Sequence, residues 1–227
     1  MSETDNRRPS KSRQSAWAER LAGALARARV APDMISFMGL AFAIVAAGAF
    51  GLSGLSFGPA RSLLLVLAAI TVQLRQLCNL LDGMVAIEHG RAGRRGVLWK
   101  EIPNRISDVA ILAAAGYGAV HADRDIGPGL GWLCACLALM MAYVRELGRT
   151  LDCPADFSGP MAKPQRMGVL TLAALVSLTE RFWPDPSAHG RTLLVALALI
   201  ATLSVVTLIR RITRLSRILR ERRRTLS

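Results

Sequence analysis

Long apolar runs separated by short basic stretches dominate this chain. A helix needs about 20 apolar residues to cross ~30 Å of hydrocarbon at ~1.5 Å per residue. Residues 34–52, 61–82, 102–120, 130–144 and 192–209 reach or approach that length. A sixth run, residues 167–183, is shorter and stays uncharged until Glu180. The third run starts inside a polar stretch, so its first turns need cover from protein or water. Ahead of the first run, residues 16–30 (AWAERLAGALARARV) set Trp17, Leu21, Leu25 and Val30 near one helical face, with Arg20, Arg27 and Arg29 mostly off it. Arginines around an apolar stripe suit a helix lying in the membrane surface. Pro32 and Asp33 separate it from the first span. The predicted fold is all-α: a bundle of six transmembrane helices preceded by an interfacial amphipathic helix. The predicted divisions are a disordered tail (1–15), the surface helix (16–30), the membrane domain (31–213) and a basic tail (214–227).

Charge orients the bundle. The chain has 227 residues, 52% of them hydrophobic, a mean hydropathy of +0.34 and a formal charge of +13. Seven Lys and Arg precede the first span and eight lie between Arg210 and Arg224. Arg91, Arg94 and Arg95 follow the second span, and Arg145, Arg149, Lys163 and Arg166 follow the fourth. The opposite loops hold Arg61, Arg124, Arg181 and Arg191. Basic loops stay cytoplasmic, which predicts a multi-pass protein of the cytoplasmic membrane with both termini inside. Such blocks suit anionic membrane lipid. With 5% aromatic residues and no stacking array, nucleic acid is not an expected partner. The N-terminal MSETDNRRPSKSRQS lacks the apolar core of a signal peptide.

Cys134 and Cys136 are two residues apart, hence on nearly opposite faces of a helix, and His89, His121 and His189 stand alone in loops. Neither pattern holds a metal. Gly39, Ala43, Ala47 and Gly51 recur every four residues, a small-residue stripe that serves either packing within the bundle or a homodimer seam.

Ionisable groups within a membrane each require a partner or a purpose. Here they gather at the end of the second run and the start of the third. Arg75, Asn79, Asp82 and Ala86 share one helical face, and Glu101, Asn104, Arg105 and Asp108 make another. On spacing alone, an ion-pair network tying two helices together and a functional site both fit.

Residues 79–105 read NLLDGMVAIEHGRAGRRGVLWKEIPNR. This stretch resembles the signature of the CDP-alcohol phosphatidyltransferases, D-x-x-D-G-x-x-A-R, eight residues, then G-x-x-x-D-x-x-x-D. Asp82, Gly83, Ala86 and Gly96 match without a gap, and Pro32 with Ile35-Ser36 resembles the family's opening of its first span. The resemblance implies a membrane transferase of phospholipid biosynthesis. Such enzymes move a substituted phosphate from a CDP-linked lipid, such as CDP-diacylglycerol, to an alcohol hydroxyl and release CMP. It also implies Mg²⁺ or Mn²⁺ bound by carboxylates, with the last aspartate as base. Hard oxygen ligands and divalent cations suit a diphosphate whose bond is breaking.

The match has gaps where the chemistry lies. Asn79 stands at the first aspartate, Ile87 at the arginine, Lys100 at the third aspartate and Asn104 at the fourth. Asp82 alone keeps its carboxylate, and Lys100 cancels its charge. An amide ligates through its carbonyl but is no base near neutral pH, and a lysine repels a metal. The expected metal positions are Asp82, Asn79 and Lys100, with Asp82 and Asn104 at the catalytic positions and an Asp82–Lys100 ion pair. Gly83, Ala86, Gly96, Arg105, Arg145, Lys163 and Arg166 are the expected substrate contacts. The rival expectation is a catalytically impaired relative that keeps the fold to bind lipid or a partner.

Overall fold

The computed structural model describes residues 16–88, 94–183 and 189–226, with side chains described except at 86–88, 94–100, 223, 225 and 226. The expected 1–15 tail, His89 and Arg91 therefore lie outside the described residues. So do the side chains of Ala86, Ile87, Arg94, Arg95 and Lys100, the position of Gly96 within its surroundings, and the expected Asp82–Lys100 pair.

Among the described residues the fold is helical throughout. The helices are α1 (Ala16–Arg27), α2 (Pro32–Ser53), α3 (Gly58–Glu88), α4 (Arg94–Gly118), α5 (Ile126–Thr150), α6 (Lys163–Val176) and α7 (Arg191–Leu226). A 3-10 segment, Ser177–Phe182, extends α6. Four helices, Pro32–Ser53, Gly58–Val85, Ile126–Thr150 and Arg191–Arg222, are long and apolar enough to cross a membrane. The other two fall short of the expected six for visible reasons. Helix α4 begins at Arg94, so its first three turns are polar, and it carries Pro103. Helix α6 has 14 residues before the backbone tightens at Ser177.

Helix α2 packs on α3 and α4, α4 on α5, and α7 on α5 and α6, around a core that includes Phe50, Leu65, Ile111, Leu112, Leu170, Leu193 and Ile200. The small-residue stripe of α2 does not run straight into this core. Ile35, Gly39, Ala43, Ala46 and Phe50 are its buried line, whereas Ala47 and Gly51 are partly exposed. Steps of four residues advance about 400° around a helix of 3.6 residues per turn, so a strict four-residue stripe drifts off the packing face. A close helix crossing lies elsewhere, between α4 and α5. A Cβ on Gly116 would stand 2.6 Å from the Gly127 carbonyl oxygen, and one on Gly131 would stand 2.8 Å from that of Ala113. Glycine there lets the α4 and α5 backbones touch.

Helix α1 buries Ala18 and Ala22 against a patch of Ile35, Cys78, Leu81, Met84 and Val85, and leaves Trp17 and Leu21 exposed. Arg29, at φ 56°, turns the chain between α1 and α2. Helix α7 spans 36 residues, roughly 54 Å at ~1.5 Å per residue, and runs unbroken through 213–214. Its basic half is tied down. Arg211 donates to the Ser158 and Met141 carbonyls, and Arg222 to those of Leu151 and Asp152.

Candidate active site

Helix periodicity on α3 sets Arg75, Asn79 and Asp82 on one face, and on α4 it stacks Asn104 over Asp108. Helices α2, α3 and α4 close around a small pocket lined by Ser36, Gly39, Arg75, Cys78, Asn79, Asp82, Pro103, Asn104 and Ser107. Helix α6 packs on α3 and α7. Its extended N-cap at Ala162 and Pro164 in the first turn start the helix so that Lys163 and Arg166 reach the same place.

The contacts form one network. Asp82 Oδ2 accepts from Ser36 Oγ at 2.9 Å. Asn104 Nδ2 donates to Asn79 Oδ1 at 2.9 Å. The Asn104 side-chain oxygen Oδ1 accepts from Arg75 Nη2 at 2.8 Å and from Lys163 Nζ at 2.7 Å. Because guanidinium and ammonium only donate, these two bonds fix which way the amide points. Behind it, buried Asp108 faces Arg75 at 3.0 Å, Lys163 at 3.2 Å and Arg166 at 3.9 Å. Arg75, Asp108 and Arg166 are all less than 5% exposed. Three cations thus surround one carboxylate.

Such a surplus is costly where water is scarce.

The other expected residues are placed as follows. Gly83 is buried on α3. Arg105 and Arg145 do not reach Asn104; both pair with Glu101, Arg145 at 3.2 Å. Arg145 also pairs with Glu146 at 2.7 Å and lines a second recess with Asp156, Arg211 and Arg214 between α5 and α7. Sequence reading passed over three members of the central network as site residues: Ser36, Arg75 and Asp108. Arg75 carried a signal, as a charge four residues before Asn79 in an apolar run. Asp108 and Ser36 acquire their meaning only through partners on other helices.

No family model matches the chain. The phosphatidylinositol phosphate synthase of Mycolicibacterium smegmatis is 27% identical over 186 residues, covering 81% of this chain and 78% of the relative. That of Streptomyces avermitilis is 26% identical over 176 residues, covering 77% and 67%. Both relatives are phosphatidylinositol phosphate synthases, and the ungapped Asp82-Gly83 motif lies at the pocket. The chain is thus similar in sequence to CDP-alcohol phosphatidyltransferases.

Solved structures share its fold. The crystal structure of Mycobacterium tuberculosis phosphatidylinositol phosphate synthase with CDP-DAG bound aligns at TM-score 0.70 and 23% identity, covering 88% of this chain and 94% of that one. The same enzyme in complex with manganese and citrate aligns at 0.68 and 22%, covering 87% and 88%.

The family uses divalent metals, and the donor set here can be tested against them. An amide carbonyl offers two lone pairs, and both on Asn104 are already used by Arg75 and Lys163. Asn79 Oδ1 has accepted one bond and keeps one lone pair. Among the described residues, no group of three or more His, Cys, Asp or Glu is gathered to hold a metal. Asp82 and Asn79 therefore supply ligands for one ion. They do not supply a pair.

Proposed function

We propose that this chain is a membrane CDP-alcohol phosphotransferase of phospholipid biosynthesis. It would transfer a substituted phosphate from CDP-diacylglycerol to an alcohol hydroxyl, with CMP as leaving group. The observation that carries this reading is the cation-rich network of Arg75, Lys163 and Arg166 beside the Asp82–Asn79–Asn104 pocket. A diphosphate is the anion that such a surplus suits, and relatives act on substrates of that class.

Each role follows from chemistry. Gly83, with no side chain, lets a nucleotide lie along α3, and Ala86 and Gly96 are the other small residues of the motif. Asp82 and Asn79 hold the divalent ion that the reaction recruits, and Lys100 stands at a third motif position. Asn104 is a positioning residue: its amide cannot take a proton, but it holds the Lys163 ammonium and the Arg75 guanidinium in place. Arg105 and Arg145 steer charge at the cytoplasmic mouth. The second recess, with Arg145, Arg211 and Arg214, suits an acceptor that itself carries a phosphate. The relatives' name, phosphatidylinositol phosphate synthase, fits an acceptor of that kind.

In this reading α4 and the α6–3-10 unit complete six spans within residues 31–213, α1 lies in the interface, and both termini face the cytoplasm. Polar backbone and side chains of α4 are tolerated because neighbouring helices cover them. The exposed half of the α2 stripe is then the surface available to a second copy.

A second reading rests on the saturated Asn104: a relative that binds CDP-lipid and does not turn it over. Incubating purified protein in nanodiscs with CDP-diacylglycerol, Mn²⁺ and a panel of alcohols, including phosphorylated polyols, separates the two. CMP release that Asp82→Asn cuts at least a hundredfold is the expected result. CDP-diacylglycerol binding without CMP release favours the second reading, and absence of binding rejects both.

A further inference from the structure

We infer that Arg75 and Lys163 stand in for one of the two divalent cations, so that this chain grips a CDP diphosphate with side-chain cations and at most one metal ion. The inference rests on the CDP-lipid reading above and concerns how that site is charged.

Three observations converge on it. The first is occupancy of ligand electrons. Asn104, at a motif position where the family pattern has a carboxylate, gives both carbonyl lone pairs to Arg75 and Lys163, at 2.8 and 2.7 Å. A metal approaching that oxygen would have to displace a buried guanidinium or an ammonium. The second is the sign of the local charge. Among the described residues, Arg75, Lys163 and Arg166 face Asp108 alone among carboxylates within salt-bridge distance, three basic groups to one acid. A divalent ion added beside them would be repelled, whereas a diphosphate would neutralise them. The third is anchoring. Asp108 holds Arg75 from α3, while Lys163 and Arg166 come from α6, and the α6 cations are fixed before any ligand arrives. Fixed charges need little reorganisation when an anion binds, which is the condition for electrostatic stabilisation.

An ammonium and a guanidinium together carry the charge of one Mg²⁺ without its demand for six oxygen ligands. The loss of the carboxylate at position 104 thus goes with a gain of fixed cations beside it. A carboxylate at position 104 would need a metal in front of it, and an amide at that position accepts cations already tethered to the chain.

The test counts ions and measures nucleotide affinity on the full-length protein in nanodiscs. With saturating CDP, electron paramagnetic resonance should count no more than one Mn²⁺ per chain. Calorimetry in EDTA should give a CDP dissociation constant within about tenfold of that in Mn²⁺, where each tenfold is ~1.4 kcal/mol. Lys163→Met should weaken CDP binding at least tenfold under both conditions, and Lys163→Arg should stay within about threefold of wild type. Two Mn²⁺ per chain, or unchanged CDP affinity in folded Lys163→Met, would overturn the inference while leaving CDP recognition intact. If neither Lys163 variant folds, the Mn²⁺ count on the wild-type chain decides. Failure of CDP to bind with or without Mn²⁺ would instead remove the CDP-lipid reading itself, and this inference with it.

Discussion

Two buried charge clusters sit at opposite ends of this bundle, and they are built on different principles. At the end remote from the pocket, Arg61 and Glu180 pair one to one at 3.5 Å, with side chains 5% and 1% exposed. Arg61 also donates to the Ser53 and Gly118 carbonyls, at the ends of α2 and α4. Glu180 accepts from the Gly190 and Thr192 amides, capping the start of α7. Every interaction there ties one helix end to another, and the charges cancel. Around Asp108 they do not cancel. There the start of α6 meets Asp108 on α4, and three basic side chains share that one carboxylate. Charge balance, rather than burial, separates a structural cluster from a site prepared for a ligand.

The largest expected effect breaks the balanced cluster. Removing one partner of a buried pair strands the other, at a cost of about 3–5 kcal/mol. Arg61→Met or Glu180→Leu should therefore lower unfolding stability in bicelles by about that amount, with α2, α4 and α7 losing their common tie. Lys163→Met removes a surplus charge and should leave stability unchanged or raise it by up to ~1 kcal/mol, although nucleotide binding falls. Equal destabilisation by Arg61→Met and Lys163→Met would erase the contrast between the clusters.

The next effect sharpens the comparison at the motif. Asn79→Asp, Lys100→Asp and Asn104→Asp together should strengthen Mn²⁺ binding at least tenfold, more than ~1.4 kcal/mol, and raise CMP release. Asn104→Asp alone should gain less than about threefold. The new carboxylate would be claimed by Arg75 and Lys163, which already hold that oxygen. A tenfold gain from the single variant, measured by Mn²⁺ titration, would mean those cations yield to metal.

How much of this was legible beforehand follows the reach of each interaction. The face of Arg75, Asn79 and Asp82 is a matter of local helical period, and the sequence spells it out. The partnership of Asn104 with Asn79 follows once α3 and α4 are antiparallel neighbours. Lys163 was readable as basic and near the cytoplasmic edge, but its grip on Asn104, 59 residues earlier, was not. Arg61 and Glu180 are 119 residues apart, and each reads as an isolated loop-side charge until the helices assemble. The α2 stripe misled in a different way, because four-residue spacing resembles a packing face for two turns and then rotates away from it. Span number is legible only in part: four helices are long and apolar enough to cross a membrane by themselves, whereas α4, with its charged start, and the short α6 depend on neighbours for cover.

The smallest effect probes the rim of the balanced cluster with pH. His121, in the turn after α4, lies 4.4 Å from the Phe57 ring centroid and directs Nε2 to the Ser56 carbonyl at 3.2 Å. Burial, followed by the positive charge of Arg61, holds its pKa below the ordinary value of 6.5, outweighing the Ser56 bond that favours the protonated form. The folded chain thus prefers neutral His121. Its contribution is complete above the unfolded value and is lost as pH falls through the lowered folded one. Thermal unfolding of the wild type should therefore show a small drop in midpoint between about pH 7 and pH 5 that His121→Gln removes. Because the ring is only partly buried, the drop should be far smaller than the effect of Arg61→Met. An equal drop in His121→Gln would assign it to other groups, and a rise in wild-type stability on acidification would contradict a neutral imidazole beside Arg61.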